Sequence, residues 1–271
     1  MDIIRRALEE DLGKGDITTD TLIPKNLVKD AYIICKEECI LCGIKVCEKV
    51  FKEVDKEVVF NPLREDGEKI LPEEPVATLH GRVASILKAE RTALNFLMRL
   101  SGIATLTRQF VEKVEDLNVK ILDTRKTTPC LRELEKYAVK VGGGENHRMG
   151  LYDAMMIKDN HISSLGGIEE ALKKIPENRN YKVIVEVKNL EELTFALKYS
   201  DKIDRVLLDN MSVDEVKRAV DIVKGAFELE VSGGINLSNI RDYAKTGVNF
   251  ISIGMLTHSF KSINFSLEIG G

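Results

Sequence analysis

The chain has 271 residues, 44% hydrophobic and 31% charged, and its formal charge is −4. That balance fits a folded protein of one or two domains and excludes disordered, collagen-like and low-complexity classes. A mildly acidic chain lacks the basic field that general nucleic-acid binding needs, so no DNA or RNA partner is expected. No window approaches the roughly 18 apolar residues of a membrane helix. The opening stretch, MDIIRRALEEDLGKGD, has neither an apolar core nor a cleavage site. The expectation is a cytoplasmic protein without a membrane partner.

In chain order, residues 2–12 read as a helix, and a strand-rich stretch follows. Within it Cys35, Cys39 and Cys42 spell C-x3-C-x2-C, with Cys47 close behind. That spacing can hold a four-iron cluster when the thiolates sit on an open loop. Here AYIIC and CILCGIKV flank a polar KEE, which predicts a hairpin with its cysteines on or beside the strands. Buried free cysteine packs as a small hydrophobe, so no iron–sulfur cluster is expected. Disulfides are not expected in a reducing compartment either. Thr78–Arg82 reads as extended. The run ILKAERTALNFLMRLSGIATLTRQFVEKV has helical spacing on both sides of Ser101-Gly102, which predicts two helices meeting at a corner near the domain boundary.

From Val119 onward short apolar runs (VKILDT, AMMIKD, KVIVEV, RVLLDN, FELEVSGG, VNFISIG) alternate with amphipathic stretches such as VDEVKRAVDIV. This rhythm predicts βαβ units and a parallel sheet. The runs close on Asp123, Lys158, Glu186, Asp209, Ser232 and Gly254. In an α/β barrel such positions face the active-site end. The expected fold is therefore α/β: a first domain over 1–108, then an open, incomplete barrel of about six parallel strands over 109–259. The tail, 260–271, is free to pack back on the first domain. An open doubly wound sheet is the alternative.

Three groups of residues stand at those strand ends. Arg125, Lys126, Arg148 and Lys158, with His147, gather positive charge at one mouth. Like charges are costly to assemble unless an anion lies between them, and Arg suits planar recognition of carboxylate or phosphate. Glu186 and Asp209 form a carboxylate pair suited to Mg²⁺, which takes one or two carboxylates plus substrate phosphate oxygens. Ser232, Gly233 and Gly234, with Gly254 and His258, fit a phosphate site built by the last two loops of a barrel. The triple glycine at 142–144 lacks the strand–GxGxxG–helix setting of a dinucleotide site.

With these residues in view, the chain resembles the quinolinate phosphoribosyltransferases nearly end to end. The resemblance runs through EEDLGKGDITTD, ERTALNFLMRLSGIAT, DTRKTTP, AVKVGGGENHRMGLYD, MIKDNH, LLDNM, EVSGGI and GMLTHS. It implies an α/β sandwich domain joined to an open six- or seven-stranded barrel. By the same resemblance Arg91, Arg125, Lys126, His147, Arg148 and Lys158 hold a pyridine dicarboxylate, with Thr124 and Met255 as further substrate contacts. Glu186 and Asp209 lie by the ribose and its Mg²⁺, while Ser232, Gly233, Gly234, Gly254 and His258 hold phosphate. Lys126, Glu186 and Asp209 are the expected catalytic residues, and no organic cofactor is implied. The implied assembly is a homodimer, or a hexamer of dimers, in which Arg91 enters the neighbouring subunit's site. Cys130 stands where the family usually has glycine, Met98 where it commonly has Gln, and Met255 where it commonly has Ala. The implied reaction joins quinolinate to phosphoribosyl pyrophosphate and releases CO₂. A related enzyme using another pyridine acid, an iron–sulfur radical enzyme and a silent phosphate-binding barrel are the competing readings.

Overall fold

The structure, a computed structural model, describes residues 3–270. It opens with α1 (Ile3–Leu12), α2 (Ile17–Leu22), β1 (Val28–Cys35), β2 (Cys39–Ile40) and α3 (Ile44–Val54). Then come β3 (Val59–Pro62), β4 (Lys69–Ile70), β5 (Pro75–Arg82) and the long α4 (Val83–Glu112). The second half runs β6 (Lys120–Leu122), α5 (Arg132–Val141), β7 (Met155–Ile157), α6 (Asp159–Ser164), α7 (Ile168–Lys173) and β8 (Val183–Val187). It continues through α8 (Leu190–Leu197), β9 (Arg205–Asp209), α9 (Val213–Val223) and β10 (Glu228–Ser232). The chain closes with α10 (Ile240–Ala244), β11 (Phe250–Ser252), α11 (Met255–His258) and β12 (Phe265–Ile269).

Two compact units result, one of Met1–Arg108, Thr128–Gly143 and Ser259–Gly271, the other of Gln109–Thr127 and Gly144–His258. Residues 128–143 thus group with the first unit, although they lie inside the stretch read from sequence as barrel.

The first unit is built on an antiparallel sheet in the order β12-β1-β5-β3, with β2 and β4 pairing separately. Along β1 the side chains alternate, Ala31, Ile33 and Cys35 buried and Val28, Asp30 and Tyr32 exposed. That period of two turns one sheet face to the core. Onto it α3 packs Ile44, Cys47, Val50 and Phe51, a helical spacing that forms a single apolar stripe. Its first N–H groups are capped from a distant loop: Asp66 Oδ1 accepts from Gly43 N at 2.9 Å and Ile44 N at 3.0 Å.

Two local expectations fail here for tertiary reasons. The predicted hairpin does not form, because β1 is flanked by β12 and β5 while β2 pairs β4. The GIKV that looked like strand begins α3 instead. The four cysteines nonetheless lie in the interior, at 0%, 2%, 0% and 0% exposure for Cys35, Cys39, Cys42 and Cys47. Cys35 and Cys39 share a hydrogen bond at 3.5 Å between sulfurs, and burial pushes the Cys42 and Cys47 thiols up, away from the thiolate a metal needs.

The second miss is the corner at Ser101-Gly102, where α4 runs straight through. Gly102 is there for close packing: a Cβ would stand 2.3 Å from the Lys261 carbonyl oxygen and 2.9 Å from Phe260 Cδ2. Ser101 Oγ accepts from Cys42 N at 3.0 Å and is satisfied inside the core. Gly102→Ala is therefore expected to destabilise the fold by about 1–3 kcal/mol through overpacking. Urea unfolding of the variant beside the parent checks this; an unchanged midpoint would refute the close approach.

The second unit holds six parallel strands in the order β6-β11-β10-β9-β8-β7. Sequence neighbours β6 and β7 are the two edges, so the sheet curls into a barrel that stays open. At the β6 edge Glu145 forms a parallel bridge with Leu122. All five residues of β8, VIVEV, are buried, as expected of a strand covered on both faces. The helices are bounded by ordinary signals, for example the Ser212–Glu215 capping box of α9 and its exit through Lys224 and Gly225 at positive φ. Among the described residues no helix is long and apolar enough to cross a membrane.

Candidate active site

The C-terminal ends of the six strands and the loops after them enclose a cavity of about 540 Å³. That is the size of a small-molecule site. Alternation along each strand decides what enters it. Lys158 and Met156, Glu186, Asp209 and Leu207, Ser232 and Glu230, Gly254 and Ser252 line the cavity, two residues apart on their strands. Parallel register keeps the ends level, Asp209 opposite Ser232 and Ser232 opposite Ser252. Met156 and Leu207 give the lining an apolar patch and cluster with buried Ile184.

Thr124, Arg125 and Lys126 lie on the loop after β6. Lys126 N donates to Thr124 Oγ1 at 3.0 Å, and Lys126 O accepts from Thr257 Oγ1 at 2.8 Å. The first bond shapes the β6 loop, and the second ties that loop to α11 after β11. Gly254 is required at their meeting, since a Cβ there would come within 2.9 Å of Lys126 Cδ and 3.2 Å of His258 Nε2. On the neighbouring loop Gly233 adopts φ +96°, and a Cβ would fall 2.1 Å from Asn210 Oδ1. Gly233 excludes a side chain for space as well as conformation, whereas at Gly254 the obstacle is space alone.

His147 and Arg148 arrive on the segment after Glu145. Buried Asp123 accepts from His147 N at 2.8 Å and Asn146 Nδ2 at 2.5 Å, holding that segment at the end of β6. Arg148 is 9% exposed, and its Nη1 donates to Ala154 O at 2.9 Å. Burial, and then the nearby charge of Arg125, push its pKa below the ordinary arginine value. It remains a cation, and an anion placed against it relieves the repulsion. Lys158 Nζ donates to Glu186 Oε2 at 2.6 Å, joining the basic and acidic groups.

Every site residue named from the sequence except Arg91 lines this one cavity: Thr124, Arg125, Lys126, His147, Arg148, Lys158, Glu186, Asp209, Ser232, Gly233, Gly234, Gly254, Met255 and His258. Arg91 is an exposed residue of α4 in the first unit. The sequence reading missed Glu230, which lines the cavity while its side chain is fully buried. Its Oε2 stands 3.0 Å from Arg205 Nη1 and 3.3 Å from His147 Nε2. The available signal was a second charged residue at an inward-phased position of FELEVS.

Burial alone would raise the Glu230 carboxyl's pKa, but His147, Ser252 and Arg205 outweigh it and the net direction is down. A carboxyl held below its unfolded value, about 4.3, stabilises the fold above that pH and loses this contribution as pH falls through the folded pKa. Parent and Glu230→Gln should therefore differ most in stability near neutrality and converge below about pH 4. Denaturation curves at several pH values measure the gap; a gap that widened on acidification would contradict the assignment.

Among the described residues no group of three or more His, Cys, Asp or Glu side chains forms a metal cage. Glu186 and Asp209 alone suit a Mg²⁺ ion that arrives with substrate phosphates and keeps several waters, so the donor set fits that use.

Comparison with known proteins places this geometry. The family model of the quinolinate phosphoribosyl transferase C-terminal domain matches residues 103–268, and that of the N-terminal domain matches residues 16–101. A probable carboxylating nicotinate-nucleotide pyrophosphorylase of Methanocaldococcus jannaschii is 43% identical over 278 residues, covering 98% of this chain and 96% of that protein. The solved nicotinate-nucleotide pyrophosphorylase of Francisella tularensis is 44% identical with a TM-score of 0.93, over 99% of this chain and 95% of that one. The corresponding structure from Ehrlichia chaffeensis has 42% identity and a TM-score of 0.94, over 99% and 97%. With both of its domains matched in order along nearly its whole length, the chain belongs to the quinolinate phosphoribosyl transferase family.

Proposed function

We propose that this protein transfers the phosphoribosyl group of phosphoribosyl pyrophosphate to quinolinate, with decarboxylation, giving nicotinate mononucleotide, pyrophosphate and CO₂. It is a carboxylating nicotinate-nucleotide diphosphorylase of NAD biosynthesis. The observation that carries the reading is the gathering of Arg125, Lys126, Arg148 and Lys158 around one cavity that also holds Glu186 and Asp209. A dicarboxylate acceptor and a polyphosphate donor are together strongly anionic, and this cation set is what an acidic chain would otherwise have no reason to assemble.

In this reading Arg125, Lys126, Arg148 and Lys158, with His147 and Thr124, orient the two carboxylates of quinolinate. The pyridine nitrogen attacks ribose C1, and the bond from C1 to the pyrophosphate oxygen breaks. Charge on the ribose is positive as that bond lengthens, and Glu186 and Asp209 stabilise it electrostatically. Ser232, Gly233, Gly234, Gly254, Met255 and His258 keep the phosphates in place on the opposite loops. Ribosylation leaves the ring nitrogen cationic. When the 2-carboxylate departs as CO₂, its bonding electrons stay on C2 beside that cation, and C2 then takes a proton. Glu186 and Asp209 would hold Mg²⁺, which when bound would supply neutralisation of the leaving pyrophosphate's charge. No organic cofactor enters the scheme.

The proposed assembly is a homodimer or a hexamer of dimers, with Arg91 serving the neighbouring subunit's cavity, in a cytoplasmic setting. The proposed active barrel spans 109–259, preceded by the sandwich domain 1–108. An assay with quinolinate, phosphoribosyl pyrophosphate and Mg²⁺, following CO₂ and the mononucleotide, tests the activity, with nicotinate as the control acceptor. Turnover of nicotinate without CO₂, and none of quinolinate, would overturn it.

A further inference from the structure

Glu230 and Arg205 form a buried charge pair at the cavity wall that the reaction above does not use. Glu230 lies in the middle of β10, level with apolar Leu207 on β9, and its side chain is fully buried. Its Oε2 meets Arg205 Nη1 at 3.0 Å and faces His147 Nε2 at 3.3 Å. Arg205 is fixed in turn: Nη2 lies 3.2 Å from Glu228 Oε2, and its guanidinium carbon sits 3.5 Å from the Phe250 ring centroid. On the other side of the imidazole, Nδ1 accepts the backbone N–H of Arg148 at 2.7 Å. A ring nitrogen that accepts carries no proton, so neutral His147 has its proton on Nε2, the atom facing Glu230. A buried ion pair is a weak stabiliser, since apolar residues of similar volume often serve as well. Its place against a cavity histidine points to positioning.

We propose that Glu230, anchored by Arg205, is a positioning residue that holds His147 as the Nε2–H tautomer and thereby sets Arg148 for the acceptor's carboxylate. The inference deepens the functional reading and rests on it for the acceptor's identity. Glu230 itself need touch no substrate. Its oxygen Oε2 accepts from Arg205 and stands in ion-pair contact with His147 Nε2, a contact short of a well-aligned hydrogen bond, whereas Oε1 has no hydrogen-bond partner among the described residues. A glutamine can therefore place its carbonyl where Oε2 stands and its amide where Oε1 stands.

The test compares Glu230→Gln with Glu230→Leu. Both remove the carboxylate's charge, but glutamine's carbonyl at the Oε2 place can still accept from Arg205, so the pair is also compared on an Arg205→Met background, where that difference is gone. Only glutamine retains an acceptor for the imidazole N–H. The expected result is a KM for quinolinate about tenfold higher in the Leu variant than in the Gln variant, the worth of one hydrogen bond. The KM for phosphoribosyl pyrophosphate should be the same in both. In ¹⁵N-histidine spectra, with His147 assigned by its loss in His147→Asn, the parent and the Gln variant should show an Nε2–H ring, and the Leu variant a mixture of tautomers. Should Glu230→Leu fail to fold, Arg205→Met/Glu230→Leu removes the stranded cation and is compared with Arg205→Met/Glu230→Gln in the same way. Equal quinolinate KM values within the pair, or a parent His147 protonated on Nδ1, overturn the proposal. A parent enzyme inert toward quinolinate would instead sink the functional reading, and the spectra would still decide the tautomer.

Discussion

Arg148→Ala is expected to lower kcat/KM for quinolinate by roughly 30-fold to several thousand-fold, the equivalent of about 2–5 kcal/mol for truncating one side of a desolvated, hydrogen-bonded ion pair. Arg148 is buried at the cavity wall, fixed by its bond to Ala154 O, and crowded by Arg125. A carboxylate bound there exchanges water for a preorganised fork of donors, and alanine offers nothing in return. Lys126→Ala should act in the same direction. Lys126 is exposed and makes its tethering bonds through backbone atoms, so its loss should leave the fold intact. Steady-state kinetics with each substrate varied, beside thermal melts, separate the effects. Unchanged quinolinate kinetics in both variants would remove these residues from the acceptor site.

Mixing two inactive variants, Arg91→Ala and Lys158→Ala, is expected to restore activity. Arg91 stands on the exposed face of α4 among buried neighbours Thr92, Ala93 and Leu94, and it does not line its own chain's cavity. Lys158 does, paired with Glu186. If each site of a two-fold dimer takes its Arg91 from one subunit and its Lys158 from the other, a mixed dimer gathers both mutations in one site and none in the other. Activity should then return to about half of the parent value per mixed dimer. Either variant alone should stay inactive. No recovery after demonstrated subunit exchange would mean that Arg91 acts within its own chain or not at all.

Much of the candidate site was legible because parallel strands advertise their ends. A short apolar run that stops at Lys158, Glu186 or Asp209 marks both a strand and the place where its chain leaves the sheet. Strand ends of one parallel sheet share a side, so residues far apart in sequence can be grouped without knowing the fold. Glu230 and Arg205 escaped that logic. They lie inside strands, where alternation of charged and apolar residues reads the same whether the charged face meets solvent or a barrel interior. Cys130 was legible only as a departure from the family's glycine, and its φ of +66° supplies the reason, a backbone region that glycine enters freely.

The amino-acid sequence by itself determined which segments are helices and strands wherever the hydrophobic period is clear, as in α1, α9 and the barrel strands. Those signals act over one turn or one strand and are complete within a few residues. Tertiary structure alone decided the continuity of α4 through Ser101-Gly102, the pairing of β1 with β12 and β5, and the meeting of Glu230, Arg205 and His147. The glycine that looked like a break is a close approach to the Lys261 backbone, and the two strands that looked like a hairpin each found a distant partner. Such choices depend on which surfaces and hydrogen-bonding edges are brought together across the chain, and no local pattern of residues carries that information.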